Sequence, residues 1–188
     1  MPNSASERCR ACVHLTHLDK LRAVALHGQG IAPAIHALKY GGDTSLAVEL
    51  GQLMAYRWPF ETLPADLLVV PVPLGRRRRW ERGYNQAELL ARQLALAIDR
   101  PLAADALVRS RHTRPQVGLG LADRQANMVG AFAIGHALAL TERTVLLVDD
   151  VCTTGSTLEA CAAPLKTAGV AQVWAYTLSR AVRADHPA

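Results

Sequence analysis

The chain is poor in aromatic residues. Three Trp, four Tyr and two Phe make up 5% of its 188 residues, so a core has to be assembled from Val, Leu, Ile and Ala. Cysteine is scarce too. Four scattered thiols do not make a disulfide framework. No apolar run approaches the ~20 residues that cross a bilayer, so no membrane insertion is expected. The opening MPNSASERCRAC lacks the apolar segment of a secretory signal, and a cytoplasmic protein is the expectation. What remains is ordinary globular composition, half hydrophobic and a fifth charged, at a length that suits one domain better than two.

The charge is present but unevenly placed. Of the formal net charge of +5, segments 76–82 and 109–124 carry +7, from nine arginines (Arg76, Arg77, Arg78, Arg79, Arg82, Arg109, Arg111, Arg114, Arg124) against Glu81 and Asp123. The rest of the chain is therefore slightly acidic. A basicity confined to two segments points to an anionic partner held at particular loops, phosphates or nucleic acid.

Periodicity gives a coarse map. Leu21–His27 reads as a strand, Ile31–Leu38 as a short helix, and Thr44–Tyr56 as a helix with Thr44 at its N-cap. Leu67–Val70 is wholly apolar, as in a strand buried on both faces, and stops at Pro71-Val72-Pro73. After an arginine loop, Tyr84, Ala87, Ala91, Leu94 and Ile98 recur at helical intervals. Ala106–Val108 and Ala131–Ile134 read as strands around a long polar loop and a helix over Leu121–Met128. Val145–Val148 is a second buried strand, Ser156–Ala168 a helix and Gln172–Leu178 a closing strand. Strands alternating with helices predict an α/β domain around a mostly parallel sheet, with ligands at the carboxyl ends of the strands. Residues 19–188 form that domain, preceded by a tail over 1–18.

The richest stretch is VLLVDDVCTTGST at 145–157. Asp149 and Asp150 end an apolar strand, where two like charges cost free energy unless a partner or ligand compensates them. Thr153, Thr154 and Gly155 follow. Ser156-Thr157-Leu158-Glu159 then fits a capping box, which places the loop at a helix N-terminus. Backbone N–H groups and small hydroxyls there suit a phosphate. The carboxylates suit vicinal hydroxyls or a divalent cation, and a sugar phosphate satisfies both ends with one molecule. The bland alternative is a tight strand-to-helix turn with Asp150 as its cap. Cys152 reads as a small filler and Cys161 as core.

These residues carry a resemblance. VLLVDDVCTTGSTL is similar to the phosphoribosyl-pyrophosphate motif of type I phosphoribosyltransferases. VVPVPLGRRRRWERGYNQAELLARQLA (69–95), RSRHTRPQVGLGLADRQANMVGAF (109–132) and IHALKYGGD (35–43) resemble the ComF family of competence-associated phosphoribosyltransferase-like proteins. The resemblance covers roughly residues 20–180. It implies a type I phosphoribosyltransferase-like fold, a mostly parallel sheet flanked by helices, with a small hood and a remnant N-terminal Cys-x-x-Cys segment. It further implies phosphoribosyl pyrophosphate with Mg²⁺ as ligand. Asp149 and Asp150 become the catalytic pair, and Thr153, Thr154, Gly155, Ser156 and Thr157 the 5-phosphate loop. Leu74, Gly75, Arg76 and Arg77 fall where pyrophosphate is held, Arg111, Thr113 and Gln116 in a substrate lid, and Lys39 and Tyr40 across the site. Arg124 and Asn127 follow the lid and could simply anchor it.

ComF proteins usually start with two C-x-x-C pairs that bind zinc. Here Cys9 and Cys12 match the second pair only and supply two of four ligands, with His14 and His17 too tightly spaced to complete a tetrahedron without strain. A reduced tail is the favoured reading there. Two functions compete. One is a transferase that releases pyrophosphate; the other is a non-catalytic module in single-stranded DNA import, with the arginines around Trp80 as the contact surface. Candidate partners are phosphoribosyl pyrophosphate, single-stranded DNA or the uptake machinery, and a second copy of the chain.

Overall fold

The computed structural model describes residues 15–28, 30–110, 130–135 and 140–181. Its elements run β1 (Lys20–Leu26), α1 (Ala32–Tyr40), α2 (Leu46–Tyr56), β2 (Leu68–Pro71), α3 (Arg76–Arg82), α4 (Gln86–Ala97), β3 (Leu107–Arg109), β4 (Phe132–Ile134), β5 (Thr144–Cys152), α5 (Ser156–Thr167) and β6 (Gln172–Arg180). Four strands form a parallel sheet in the order β1-β6-β5-β2, and β3 and β4 pair antiparallel as a separate ribbon.

The two central strands, β5 and β6, are the apolar ones, because helices cover both of their faces. On one face Val145, Leu147, Val173 and Ala175 pack with Leu158, Cys161 and Leu165 of α5. On the other, Leu146, Val148, Trp174 and Tyr176 pack with Leu38 of α1, Met54 of α2 and Leu90 and Leu94 of α4. Cys161 is thus core, as its spacing predicts, and Cys152 is buried as well. The α2–α4 crossing depends on Gly51, since a Cβ there would lie 2.3 Å from the Gln93 Cβ. The outer edge of β2 is covered by residues 101–103, whose Pro101 carbonyl and Ala103 N–H bond Val69 at 2.9 Å each.

Four local expectations change. The strand before the aspartates does not stop at Val148. It runs to Cys152, so Asp149 and Asp150 lie within it, with Asp149 opposite Thr177 and Val151 opposite Ser179 of β6. The arginine loop is the short helix α3, none of whose residues is buried. The capping box does not form either. The N-cap of α5 is Gly155 with φ 79°, and Glu159 reaches away from the helix start to the segment ahead of β1. Thr44 likewise does not cap α2, which starts after Ser45. Among the described residues no helix is long and apolar enough to cross a membrane.

Candidate functional site

Strand period 2 sends neighbouring side chains to opposite faces, and the two aspartates follow it. Asp149 lies on the α5 face, close enough to the Cys161 thiol for its charge to help push that thiol's pKa up, after burial. Asp150 lies on the α1 face, 97% buried, with its Oδ2 2.5 Å from the Lys39 ammonium. Each carboxylate accepts a backbone N–H from the next residue: Asp150 N–H donates to Asp149 Oδ1 at 2.9 Å, and Val151 N–H to Asp150 Oδ1 at 2.8 Å. Asp150 Oδ2 is buried with no aligned hydrogen-bond donor among the described residues, so the Lys39 contact is a bare ion pair. Burial, and then the neighbouring Asp150 charge, hold the Asp149 carboxyl well above the usual carboxylate range, although part of its surface stays open.

The loop over 153–157 is shaped by Gly155. Its left-handed φ turns the chain from strand to helix, a conformation that costs a side-chain-bearing residue roughly 1–3 kcal/mol. Thr154 and Ser156 share a hydroxyl–hydroxyl bond of 2.8 Å, and Thr154 Oγ1 accepts Ser156 N–H at 3.3 Å. Thr153 is exposed, Thr154 and Thr157 are half-buried, and Ser156 is buried in the first turn of α5. The turn is braced from behind. A Cβ on Gly155 would meet the Leu15 methyls at 3.0 Å. Glu159 Oε1 accepts the Thr16 and His17 N–H groups at 2.8 and 2.9 Å, the Thr16 hydroxyl at 2.9 Å and a His17 Nδ1 contact at 2.7 Å. Burial alone would raise the Glu159 carboxyl; the bonds from His17 and Thr16 together outweigh it and hold it below its ordinary value.

Beside β5, β2 delivers the third part. Its chain leads through Val72, Pro73 and Leu74 to Gly75, the N-cap of α3. The GYNQ run that follows anchors this turn. The buried Asn85 side chain donates to the Val72 carbonyl at 3.0 Å and accepts Ala87 N–H at 3.2 Å, capping α4. The Tyr84 hydroxyl donates to the Leu38 carbonyl and ties the turn to α1, one residue from Lys39.

The arginines divide by their contacts. Arg77 pairs with Glu81, Arg79 with Glu88, and Arg82 bonds Gln86 while lying 5.2 Å from the Tyr40 ring centre. Arg76 is exposed, and Arg78 stands close enough to Arg109 to act on its pKa.

Arg109 is the residue that sequence reasoning left out of the site. At the end of β3, its stem would lie 3.6 Å from a Gly75 Cβ and its guanidinium is 5.4 Å from the Phe132 ring centre. Burial, and then Arg78, lower its pKa from a very high value, so it stays cationic. The available signal was its place at the close of an apolar run that pairs with 132–134. Lys39 was expected across the site, but nothing in its spacing revealed that it meets Asp150. Tyr40 is exposed, its ring 4.9 Å from that of His36. Arg111, Thr113, Gln116, Arg124, Asn127, Cys9 and Cys12 lie outside the described residues. His17 is engaged by Glu159.

The result is a pair of carboxylates at the carboxyl end of β5, a glycine-turned loop opening α5, and a glycine turn beside Arg78 and Arg109 after the adjacent β2. Comparisons with known proteins show the family. The family model described as "Phosphoribosyl transferase domain" matches residues 81–186. Competence protein F of Haemophilus influenzae is 43% identical over 116 residues, covering 60% of this chain and 50% of that protein; the match thus spans half of its length. DNA utilization protein YhgH of Escherichia coli is 34% identical over 168 residues, covering 86% of this chain and 72% of that protein. Among solved structures, a glutamine phosphoribosylpyrophosphate amidotransferase from B. subtilis superposes with a TM-score of 0.52 at 17% identity. That match covers 82% of this chain and 32% of the larger one, and it speaks for the fold alone. With the match to residues 81–186 reaching from the arginine helix through the 153–157 loop, and with its relatives named for competence and DNA utilization, the chain belongs to the phosphoribosyl transferase domain family and, within it, to the ComF proteins.

Proposed function

We propose that the chain binds phosphoribosyl pyrophosphate together with Mg²⁺ and transfers its ribosyl 5-phosphate to a nitrogen acceptor, releasing pyrophosphate, in the cytoplasm. The observation that carries this reading is the left-handed Gly155 at the start of α5, one turn beyond two carboxylates on the same strand. The 5-phosphate would sit against the first turn of α5, where N–H groups have no helical partner and the dipole is positive, with the Thr153–Thr157 hydroxyls adding donors. Asp149 and Asp150 would accept the vicinal ribose hydroxyls, the sugar displacing the Lys39 ammonium from Asp150. The diphosphate would lie over Leu74 and Gly75, with Arg76 and Arg77 at the mouth and Arg78 and Arg109 beside it. Arg111, Thr113 and Gln116 would close over the substrate.

In the reaction the bond from C1 to the diphosphate oxygen breaks, and its electron pair leaves with pyrophosphate. The acceptor nitrogen lone pair forms the new bond at C1, and the nitrogen's proton passes to solvent. Positive charge grows on the ring in between, and the two carboxylates are fixed where they favour it. The two carboxylates near the end of β5 form a donor set that fits Mg²⁺, which is commonly held by one or two carboxylates plus substrate phosphates. Asp149 and Asp150 would supply that share, and the ion's chemistry is to neutralise the departing diphosphate.

Calorimetry with the full chain tests the reading. Phosphoribosyl pyrophosphate with Mg²⁺ should bind, and Asp150→Asn should abolish it; unchanged affinity in that variant overturns the assignment.

One observation favours a second reading, contact with single-stranded DNA. Trp80 is 87% exposed on α3 among Arg76–Arg79 and Arg82, which offers charge and a stacking face together. The names of the relatives agree with it. Oligonucleotide binding that weakens with salt and vanishes when Arg76–Arg79 are replaced would support it, and no binding at low salt would remove it.

A further inference from the structure

Glu159 joins two remote stretches of the chain through one residue. Its backbone N–H donates to the Gly155 carbonyl at 2.9 Å and closes the first turn of α5. Its side chain holds residues 16 and 17. Oε1 accepts both of their N–H groups and the Thr16 hydroxyl and touches His17 Nδ1, all between 2.7 and 2.9 Å. The other oxygen, Oε2, is buried with no hydrogen bond among the described residues, a burial that the helix itself does not require. Leu15 completes the contact. It is 3% exposed and lies beneath Gly155, its methyls 3.0 Å from where a Cβ would stand. At the other end of α5, Lys166 meets Asp19 Oδ2 at 2.7 Å, and Asp19 exchanges bonds with Val173 of β6. Residues 15–19 thus lie along α5 from its first turn to its last.

We propose that Glu159 and Leu15 are positioning residues for the sugar 5-phosphate, which hold the Gly155 turn in shape by docking residues 15–17 against it. The assignment rests on the transferase reading above, which puts the 5-phosphate at the 153–157 loop, and it adds that the loop is set from behind by residues that touch no ligand. Leu15 supports the turn from below. Glu159 makes the closing N–H of the turn and the grip on Thr16 and His17 parts of one unit. A phosphate has to meet several donors of that loop at once, and a displacement of ~1 Å in such a cradle can cost up to about a hundredfold. Linkage makes the effect reciprocal: the factor that docking of residues 15–17 adds to phosphate affinity is the factor that bound phosphate returns to docking. Charge alone gives the opposite sign. Glu159 is an anion in the same helix end that would hold the phosphate, so its removal would strengthen phosphate binding if it acted only through its charge. A brace and a bystander charge are told apart by the direction of the change.

The test is calorimetry on the full chain with ribose 5-phosphate as the probe, and phosphoribosyl pyrophosphate with Mg²⁺ as a second. Glu159→Ala and Leu15→Ala should each weaken ribose 5-phosphate by about fivefold or more. Leu15→Met, which refills the space under Gly155, should keep its affinity within about threefold of the unsubstituted chain. Lys166→Met, which breaks the Asp19 pair at the far end of α5, should do the same within about threefold. In the unsubstituted chain, saturating ribose 5-phosphate should slow hydrogen exchange of the Thr16 and His17 amides by about fivefold or more. Should Glu159→Ala fail to fold, Leu15→Ala against Leu15→Met and the exchange measurement decide alone. Three results overturn the proposal: tighter or unchanged sugar binding in a folded Glu159→Ala chain, a loss in Lys166→Met as large as in Leu15→Ala, or Thr16 and His17 amides indifferent to the sugar. Each of these leaves sugar binding by the unsubstituted chain in place. If neither sugar binds that chain, the transferase reading falls, and this proposal falls with it.

Discussion

Replacing Lys39 with methionine removes the cation that compensates Asp150 while keeping most of the length of the side chain. Asp150 is 5% exposed at its side chain and Lys39 21%, so the pair is shielded from solvent but not sealed. At an effective dielectric of about 20, unit charges ~4 Å apart interact by about 4 kcal/mol. Stranding one partner of a buried pair costs ~3–5 kcal/mol. The partly open lysine argues for the lower end, about 3 kcal/mol at pH 8.

Urea unfolding of the Lys39→Met chain should therefore show a loss of about 3 kcal/mol at pH 8. Adding Asp150→Asn should restore all but about 1 kcal/mol, giving a coupling of about 2 kcal/mol in the double-mutant cycle. A loss under 1 kcal/mol at pH 8, or no rescue by the second substitution, would refute the reasoning.

Glu159→Gln should cost about 1–2 kcal/mol at pH 7 by weakening the bonds to Thr16 and His17. Because the Glu159 carboxyl is held below its ordinary value, that difference should fade as pH drops below about 4.5. A difference constant from pH 3 to 7 in denaturant titrations would contradict it. Gly155→Ala should destabilise by about 1–3 kcal/mol, from its positive φ and the Leu15 methyls, and weaken binding of ribose 5-phosphate in calorimetry. An unaltered melting temperature would rule out the strain. Burial, and then Asp149, raise the Cys161 thiol well above its usual range, so native protein at pH 7.5 should resist alkylation there until urea unfolds it. Rapid labelling of Cys161, mapped by mass spectrometry, would speak against its burial.

Local grammar carried much of this molecule. The apolar runs 67–70 and 145–148 announced buried strands because helices cover both sheet faces, a condition that leaves a mark on every residue of the strand. The Thr-Thr-Gly turn announced itself because a left-handed N-cap admits few residue types. Long-range partnerships left no such mark. Glu159 fitted a capping box, yet Thr16 and His17, more than 140 positions away, offer several donors at once and outcompete the single local N–H. Arg109 looked like the beginning of a lid because β3 is three residues long and makes sense only when paired with β4. The strand through Asp149 and Asp150 ran longer than hydropathy suggested, since the ladder with β6 continues regardless of side-chain polarity. Hence Asp149 neighbours Cys161 of α5 and Asp150 pairs with Lys39 of α1, while the two carboxyls still act on each other near the end of the strand.

The brace behind the Gly155 turn bears on how this chain tolerates change in length. Leu15 fills the space beneath Gly155, Thr16 and His17 hold Glu159, and Asp19 bonds the Val173 N–H at 2.7 Å. These contacts fix the register of residues 15–19 as firmly as a strand pairing would. A one-residue insertion or deletion between Leu15 and Lys20 would therefore act at the far end of the sequence, on the start of α5. Residues 15–19 are a short ruler set against the start of α5.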